Sequence, residues 1–270
     1  MKSIVEYVKG HGTKNDFVII EDLNDELEIT SNQVKEICNR STGIGADGIL
    51  RVVNQNGQFF MDYRNADGSL AEMCGNGARV FGLYLRDKNL VDKNIFTIST
   101  RAGDVKIQVF NPNKISVTMN SAKIRNNPVE IINNSKKYTA TGVDAPNPHA
   151  VVFVDDLNEI GELKTAPTHF PKDEFATGVN VEFVKKINDT HVQMRVFERG
   201  SGETLSCGTG ACAVATVLRK LVNNQSDEFQ IEVKGGTLII KFVNDKIEMT
   251  GPAVLESSGV LKESWYSTKK

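Results

Sequence analysis

The sequence predicts a two-domain α/β (α+β) fold in which each domain is a mainly antiparallel sheet wrapped around one central apolar helix. Three observations predict it. Two segments, Glu72-Met73-Cys74-Gly75-Asn76-Gly77-Ala78 and Leu205-Ser206-Cys207-Gly208-Thr209-Gly210-Ala211, say nearly the same thing, each setting one cysteine ahead of a glycine-rich turn that opens an apolar helix. Their cysteines lie 133 positions apart (207 minus 74), about half of the 270-residue chain. Around them run short apolar or alternating segments broken by asparagine and glycine, the habit of strands.

Taken in order, residues 17–21, 49–53, 59–63, 95–99, 105–110 and 115–119 read as first-half strands. Residues 150–154, 179–185, 192–197, 229–233, 237–242 and 246–249 repeat the habit in the second half, with Gly235-Gly236 as a turn. Thr30 and Gln33 are spaced as a capping box before a helix that ends near Asn39. The helices over 78–85 and 211–221 are small or apolar on most faces, so each is expected to run through the middle of its domain. Asn126-Asn127-Pro128 reads as the linker, and the tail after Ser257 as loosely held.

The repeat holds beyond the cysteines. At the same offset Met61 falls on Met194, and Gly43-Ile44-Gly45-Ala46-Asp47 falls on Ala176-Thr177-Gly178-Val179-Asn180. A unit this long is a domain and not a solenoid repeat, which sets the expected domains at 1–126, carrying Cys74, and 127–270, carrying Cys207. Two such halves packed face to face would bring their helix N-termini to one cleft.

With 40% hydrophobic residues, 24% charged residues and a formal net charge of −2, the chain reads as an ordinary globular protein with no leaning toward nucleic acid or membrane surfaces. Neither a secretory signal nor a membrane span is legible. Its four cysteines show no paired-ligand spacing and read as reduced thiols, so a cytoplasmic location is expected. No lysine motif suggests pyridoxal phosphate and no cluster suggests a metal site, so no cofactor and no metal are expected.

Cys-Gly-x-Gly-Ala carries a definite chemistry. Glycine lets the backbone approach a ligand closely, and the first turn of a helix offers N–H groups that bind anions. The same field should lower the pKa of an adjacent thiol. A carboxylate clamped between two such turns would leave its α-carbon within reach of both sulfurs. Two facing thiols suit a reaction that takes a proton from one side of a carbon and returns one to the other. A single buried cysteine near a helix start is more often a packing residue, and Cys38 and Cys212 are read that way; two in matching repeats are harder to explain by packing alone.

At this point the chain resembles the diaminopimelate epimerases, through Asn15-Asp16-Phe17, Gly45-Ala46-Asp47-Gly48, Asn65-Ala66-Asp67-Gly68-Ser69, both cysteine motifs, Asn147-Pro148-His149, Glu198-Arg199-Gly200 and Thr250-Gly251-Pro252-Ala253. The resemblance implies two pseudo-symmetric domains with the active site in the cleft between them. It also implies cofactor-independent conversion of LL- to meso-diaminopimelate, toward lysine and peptidoglycan precursors. Cys74 and Cys207 would act as acid and base, with His149 and Glu198 assisting proton movement. Asn15, Asn65, Asn147 and Asn180 would hold the substrate, with Glu198 also lining its site. Gly75-Asn76 and Gly208-Thr209 would supply N–H groups to the reacting carboxylate, and Arg199 a bidentate clamp for the distal one.

The residues alone keep the bland readings open: an asparagine in a glycine-rich loop is usually a turn former, and Glu198-Arg199 could be a solvated ion pair. Thr13-Lys14 before Asn15, Gly48 where some members carry a substrate-reaching glutamine, and Ala145-Pro146 before Asn147 depart from the family pattern. Two other readings belong to different classes: a racemase of this scaffold acting on proline, hydroxyproline or histidine, and a non-catalytic amino-acid binder or thiol redox protein. A small-molecule substrate is the expected partner, with neither nucleic acid nor membrane, and a homodimer is a candidate assembly.

Overall fold

The computed structural model describes residues 4–269. The chain falls into two compact units, one running to Val117 and taking in the segment from Gly251 onward, the other Thr118–Thr250. The expected boundary at 126/127 is therefore displaced. Asn126-Asn127-Pro128 lies inside a strand, and the C-terminal segment belongs with the first unit.

In the first unit the elements are β1 (Glu6–Gly12), β2 (Asn15–Glu21), β3 (Leu27–Glu28), α1 (Ser31–Cys38), β4 (Gly48–Gln55), β5 (Gln58–Asn65), α2 (Gly75–Asp87), β6 (Ile95–Thr100), β7 (Gly103–Asn111) and β8 (Lys114–Met119). The second unit holds β9 (Lys123–Asn133), β10 (Lys136–Asp144), β11 (Pro148–Phe153), β12 (Thr168–Phe170), β13 (Asn180–Lys186), β14 (His191–Glu198), β15 (Gly202–Thr204), α3 (Gly208–Leu221), β16 (Glu228–Val233), β17 (Gly236–Val243) and β18 (Lys246–Gly251). The chain then returns to the first unit as β19 (Val254–Val260) and β20 (Ser267–Thr268).

The two units repeat one pairing scheme. In the first, β1 pairs antiparallel with β2, β2 parallel with β4, β4 antiparallel with β5, and β5 parallel with β6 before the β6–β7–β8 meander. In the second, β10, β11, β13, β14, β16, β17 and β18 follow the same order with the same senses. Strand register refines the sequence offset. Phe17 pairs with Gly48 as His149 pairs with Asn180, so an offset of 132 relates these strands and Asn180 corresponds to Gly48, not to Asp47.

Each central helix packs inside its curled sheet. Helix α2 lies against β1, β2, β4, β5, β7 and β19, and α3 against β9, β10, β11, β13, β16 and β17. Ten α2 residues from Gly75 to Leu85 are buried, which an amphipathic surface helix would not allow. At Gly82 an added Cβ would come within 2.7 Å of Ile107 on β7, so glycine sets the helix-to-sheet spacing there. Helix α1 has the predicted capping box, Thr30 with Gln33, and ends at C-cap Asn39.

The tail is not loose. β19 pairs antiparallel with β1, and Leu261, Trp265 and Tyr266 pack into the core behind α1 with Val34 and Ile37. The turn between β1 and β2 is two residues, Thr13 and Lys14, both at positive φ (49° and 63°), as a type I′ hairpin turn requires. Thr13 is β-branched and disfavoured there. Its Oγ1 accepts a hydrogen bond from Arg79 Nη2 (3.1 Å), which ties the turn to α2 and sets Asn15 beside the first cysteine.

Candidate active site

Cys74 and Cys207 occupy the same local structure. Each is the N-cap of its helix with extended backbone (φ −136°, ψ 118° and φ −122°, ψ 113°), and each sulfur accepts the N–H three residues on, from Gly77 and Gly210, at 3.4 Å. An N-cap side chain satisfies a first-turn donor that the helix itself cannot. Serine, threonine, aspartate or asparagine would be the ordinary choice, so a cysteine there in both units favours a chemical role over a capping one.

In the first unit Cys74 is half-buried, and its Sγ lies 3.6 Å from Asn15 Oδ1, which also accepts from Asn76 Nδ2 (3.2 Å). The orientation of the Asn15 amide follows from its other end, where Nδ2 donates to Asp47 Oδ2 (2.7 Å). Asp47 is braced in turn by Arg40 (2.8 Å), which also pairs bidentately with Asp16 (2.7 and 3.1 Å). Burial works against the Asp16 charge, yet Arg40 and Lys9 hold its carboxyl below the ordinary range. Asn65 donates its amide to Ser69 Oγ (3.0 Å), and that hydroxyl donates to Asp67 (2.6 Å).

In the second unit Cys207 is buried with Thr209 Oγ1 at 3.5 Å. Burial first, then the Glu198 and Glu182 carboxylates, push its thiol well above the ordinary range, so the expected lowering by the helix N-terminus is overturned at this cysteine. A neighbouring anion and a dry setting outweigh one Gly210 N–H. Glu198 is raised as well, by burial, against hydrogen bonds from Cys207 and from Thr204 Oγ1 (2.5 Å). The expected alternative of a Glu198–Arg199 ion pair is not formed. Arg199 is exposed and donates instead to Thr177 O (2.6 Å) and Oγ1 (3.1 Å).

Neighbours set the polarity of all four asparagines. With Nδ2 engaged, Asn15 turns its carbonyl oxygen toward Cys74 and Asn76, and Asn65 keeps its own as the acceptor end. Asn180 is the reverse, its Oδ1 accepting from the Arg199 N–H (2.9 Å), and Asn147 Oδ1 faces His149 Nε2 (3.2 Å), so in both the amide nitrogen is the end left to donate. His149 Nδ1 in turn meets Glu182 Oε1 at 2.6 Å. Direct contacts join Asn15 to Cys74 and Asn76 in the first unit, and Asn147 to His149, Asn180 to Arg199, and Cys207 to Thr209 and Glu198 in the second, while Asn65 bonds to Ser69 and Arg199 reaches Thr177.

The family model for diaminopimelate epimerase matches residues 7–125 and 141–256. The chain belongs to the diaminopimelate epimerase family. It is 41% identical to the diaminopimelate epimerase of Streptomyces coelicolor, with 98% of each chain covered, and 38% identical to that of Corynebacterium glutamicum strain R, with 96% of this chain and 99% of the relative covered. Among solved structures its fold is similar to a phenazine biosynthesis protein of the PhzF family from Bacillus anthracis (TM-score 0.71, 15% identity, 96% and 99% of the two chains). It is also similar to a hydroxyproline epimerase from Agrobacterium vitis (TM-score 0.69, 13% identity, 96% and 93%).

Membership in this epimerase family makes the chain an isomerase. Several residues that shape the two half-sites escaped the sequence reading: Asp47, Ser69, Thr177, Glu182 and Thr204. Asp47, Ser69 and Thr177 stand inside quoted motifs but carry no role in the sequence alone, and Glu182 is marked only as a carboxylate inside the apolar run Val179 to Val184. None of the helices among the described residues is long and apolar enough to cross a membrane.

Proposed function

We propose that the chain converts LL-diaminopimelate to meso-diaminopimelate by two-base proton transfer without a cofactor, in the supply of lysine and peptidoglycan precursors. The observation that carries this reading is the matched pair of N-cap thiols, Cys74 and Cys207, each on the first turn of a buried helix. In the proposed complex the two thiols address opposite faces of one α-carbon, and the N–H groups of Gly75-Asn76 and Gly208-Thr209 hold the reacting carboxylate. Charge that develops on that carboxylate as the proton leaves is met by oriented donors, where they lower a barrier most.

The polarity of the asparagines supports a substrate with two amino-acid head groups. Carbonyl oxygens on Asn15 and Asn65 suit ammonium groups, whereas amide N–H groups on Asn147 and Asn180, together with the Arg199 guanidinium, suit the distal carboxylate. Proline and histidine lack that second head group, which disfavours the related racemase reading. The binder and redox readings leave the paired helix-start geometry without a use.

A resting thiol at Cys207 makes it the first proton donor and Cys74 the first base, with Glu198 and His149 exchanging protons beside them. We place the reaction in the cytoplasm, consistent with four free cysteines, and sedimentation separates a homodimer from a monomer. The test of the reading is turnover by Cys74→Ser and Cys207→Ser. Each should lose nearly all epimerisation. Retention by either of more than about a tenth of wild-type kcat/KM, a deficit of only ~1.4 kcal/mol, would rule out the two-thiol mechanism.

A further inference from the structure

The repeat contains its own control for one buried pair. On β2 and β4 of the first unit, Phe17 and Leu50 close the space beneath the first turn of α2, their side chains 3.4 and 3.3 Å from where a Cβ on Gly77 would sit. Shifting by the strand offset of 132 places His149 on Phe17 and Glu182 on Leu50. The second unit thus puts a histidine and a carboxylate where the first unit packs two apolar side chains. Both His149 and Glu182 are 0% exposed.

Burying such a pair is costly, and replacing it by well-packed apolar residues is often neutral or stabilising. Phe17 and Leu50 show that this fold accepts the apolar solution at these positions. The polar pair therefore needs a reason other than stability. Its geometry supplies one: Glu182 Oε1 sits 2.6 Å from His149 Nδ1, Glu182 Oε2 has no hydrogen-bond partner among the described residues, and an added Cβ on Gly210 would come within 2.7 Å of Glu182 Oε1. The carboxylate is lodged under the first turn of α3, and the glycine of the second cysteine motif makes room for it.

We propose that Glu182 is a positioning residue for the epimerisation, holding the proton of His149 on Nδ1 so that Nε2 is the nitrogen that exchanges a proton in the site. This rests on the reading of His149 as a proton-handling residue. When Nε2 carries its proton, Asn147 Oδ1 accepts it (3.2 Å); when the ring gives that proton up, the Asn147 bond is lost while Nδ1–H stays on Glu182. The titratable groups facing this ring and its carboxylate within the unit are Glu198 on β14 and the Cys207 thiol at the start of α3. A carboxylate that fixes the tautomer of a working histidine acts on the chemical step and not on substrate affinity.

The test compares three variants with the wild type. Glu182→Gln keeps the shape but offers an N–H to Nδ1, so kcat should fall by about 100- to 10,000-fold with KM within about threefold. His149→Gln should show a loss of similar size. The double variant His149→Phe with Glu182→Leu, which imports the first unit's pair, should melt at or above the wild-type temperature while remaining inactive. In 15N-detected spectra of the wild-type imidazoles, the signal lost in His149→Gln should report a protonated Nδ1. If His149→Gln is impaired but Glu182→Gln turns over at the wild-type rate, this inference fails while the reading of His149 stands. Wild-type turnover by His149→Gln overturns both, and an unprotonated Nδ1 in the wild type overturns the inference even where a variant does not fold.

Discussion

Asp47 is the most economical place to perturb the first half-site, because it touches no expected substrate atom yet sets the face that Asn15 shows to Cys74. Its Oδ2 accepts from Asn15 Nδ2 (2.7 Å) and from the Asp16 N–H (3.1 Å), and its Oδ1 from Arg40 (2.8 Å). Asp47→Ala removes all three contacts. The Arg40 pair is 59% and 42% exposed at its two side chains and contributes less than about 1 kcal/mol. The Asn15 contact is half-buried and charge-assisted, worth roughly 1.5 to 3 kcal/mol in orientation, which corresponds to about a 10- to 150-fold loss in kcat/KM. Asp47→Asn behaves differently. Its Oδ1 can stay on Asn15 while its amide turns toward the exposed Arg40, which swings away and keeps Asp16, so kcat/KM should fall less than about fivefold. Steady-state turnover of both variants, beside thermal unfolding to verify the fold, measures this. An Asp47→Ala enzyme within threefold of wild type, or an Asp47→Asn enzyme as poor as the alanine, would refute the argument that Asn15 is aimed by Asp47.

Other consequences follow from the same geometry. Arg199→Ala should lower kcat/KM for diaminopimelate by roughly one and a half to three and a half orders of magnitude, since a charge-assisted clamp is worth on the order of 2 to 5 kcal/mol; unchanged turnover would remove the guanidinium from the site. Iodoacetamide at pH 7, followed by peptide mapping, should label half-buried Cys74 well before Cys207, and the reverse order would contradict a resting thiol at Cys207. Cys38 is pushed up to about 12 by burial and then by Asp16 and Asp47, so the folded chain keeps a proton that the unfolded chain releases above about pH 9. Its stabilising contribution is complete below that pH and is lost between about 9 and 12, at up to ~1.4 kcal/mol per pH unit, and Cys38→Ala should flatten that slope in denaturant titrations. Asp62 is 1% exposed with Arg51, Arg64 and Arg101 all on its oxygens, so Asp62→Ala should destabilise by about 3 to 5 kcal/mol in urea unfolding.

The strands legible in the sequence were those whose pattern is local. β4, β5, β13 and β14 announce themselves by apolar runs, and the two cysteine helices by unbroken small and apolar residues. β1 escaped because its backbone demands glycines where a pattern would show: a Cβ at Gly10 would come within 2.5 Å of Val254 O on the neighbouring strand. β9 was read as a linker because it contains Asn126-Asn127-Pro128. Those residues lie at a bulge opposite Thr141 to Val143, where a proline without an N–H is tolerated. The tail looked loose because its stabilisation is long-range, through β1 and the pocket that takes Trp265. In the site, residue identities were legible while amide orientations were not. Asp47, Ser69, His149 and the Arg199 N–H decide those orientations, and such contacts span from a few positions to more than thirty in sequence.

The central claim is that one thiol removes the α-proton and a different thiol delivers its replacement. Incubating the wild-type protein with LL-diaminopimelate in D2O, and stopping early, tests it most directly by the position of the label. The account predicts meso product carrying one solvent deuterium at the inverted carbon, while recovered LL substrate remains almost fully protiated, because the base that took the proton is not the group that delivers the deuteron. Equal deuterium in recovered substrate and product would mean that a single base serves both faces, and would contradict it.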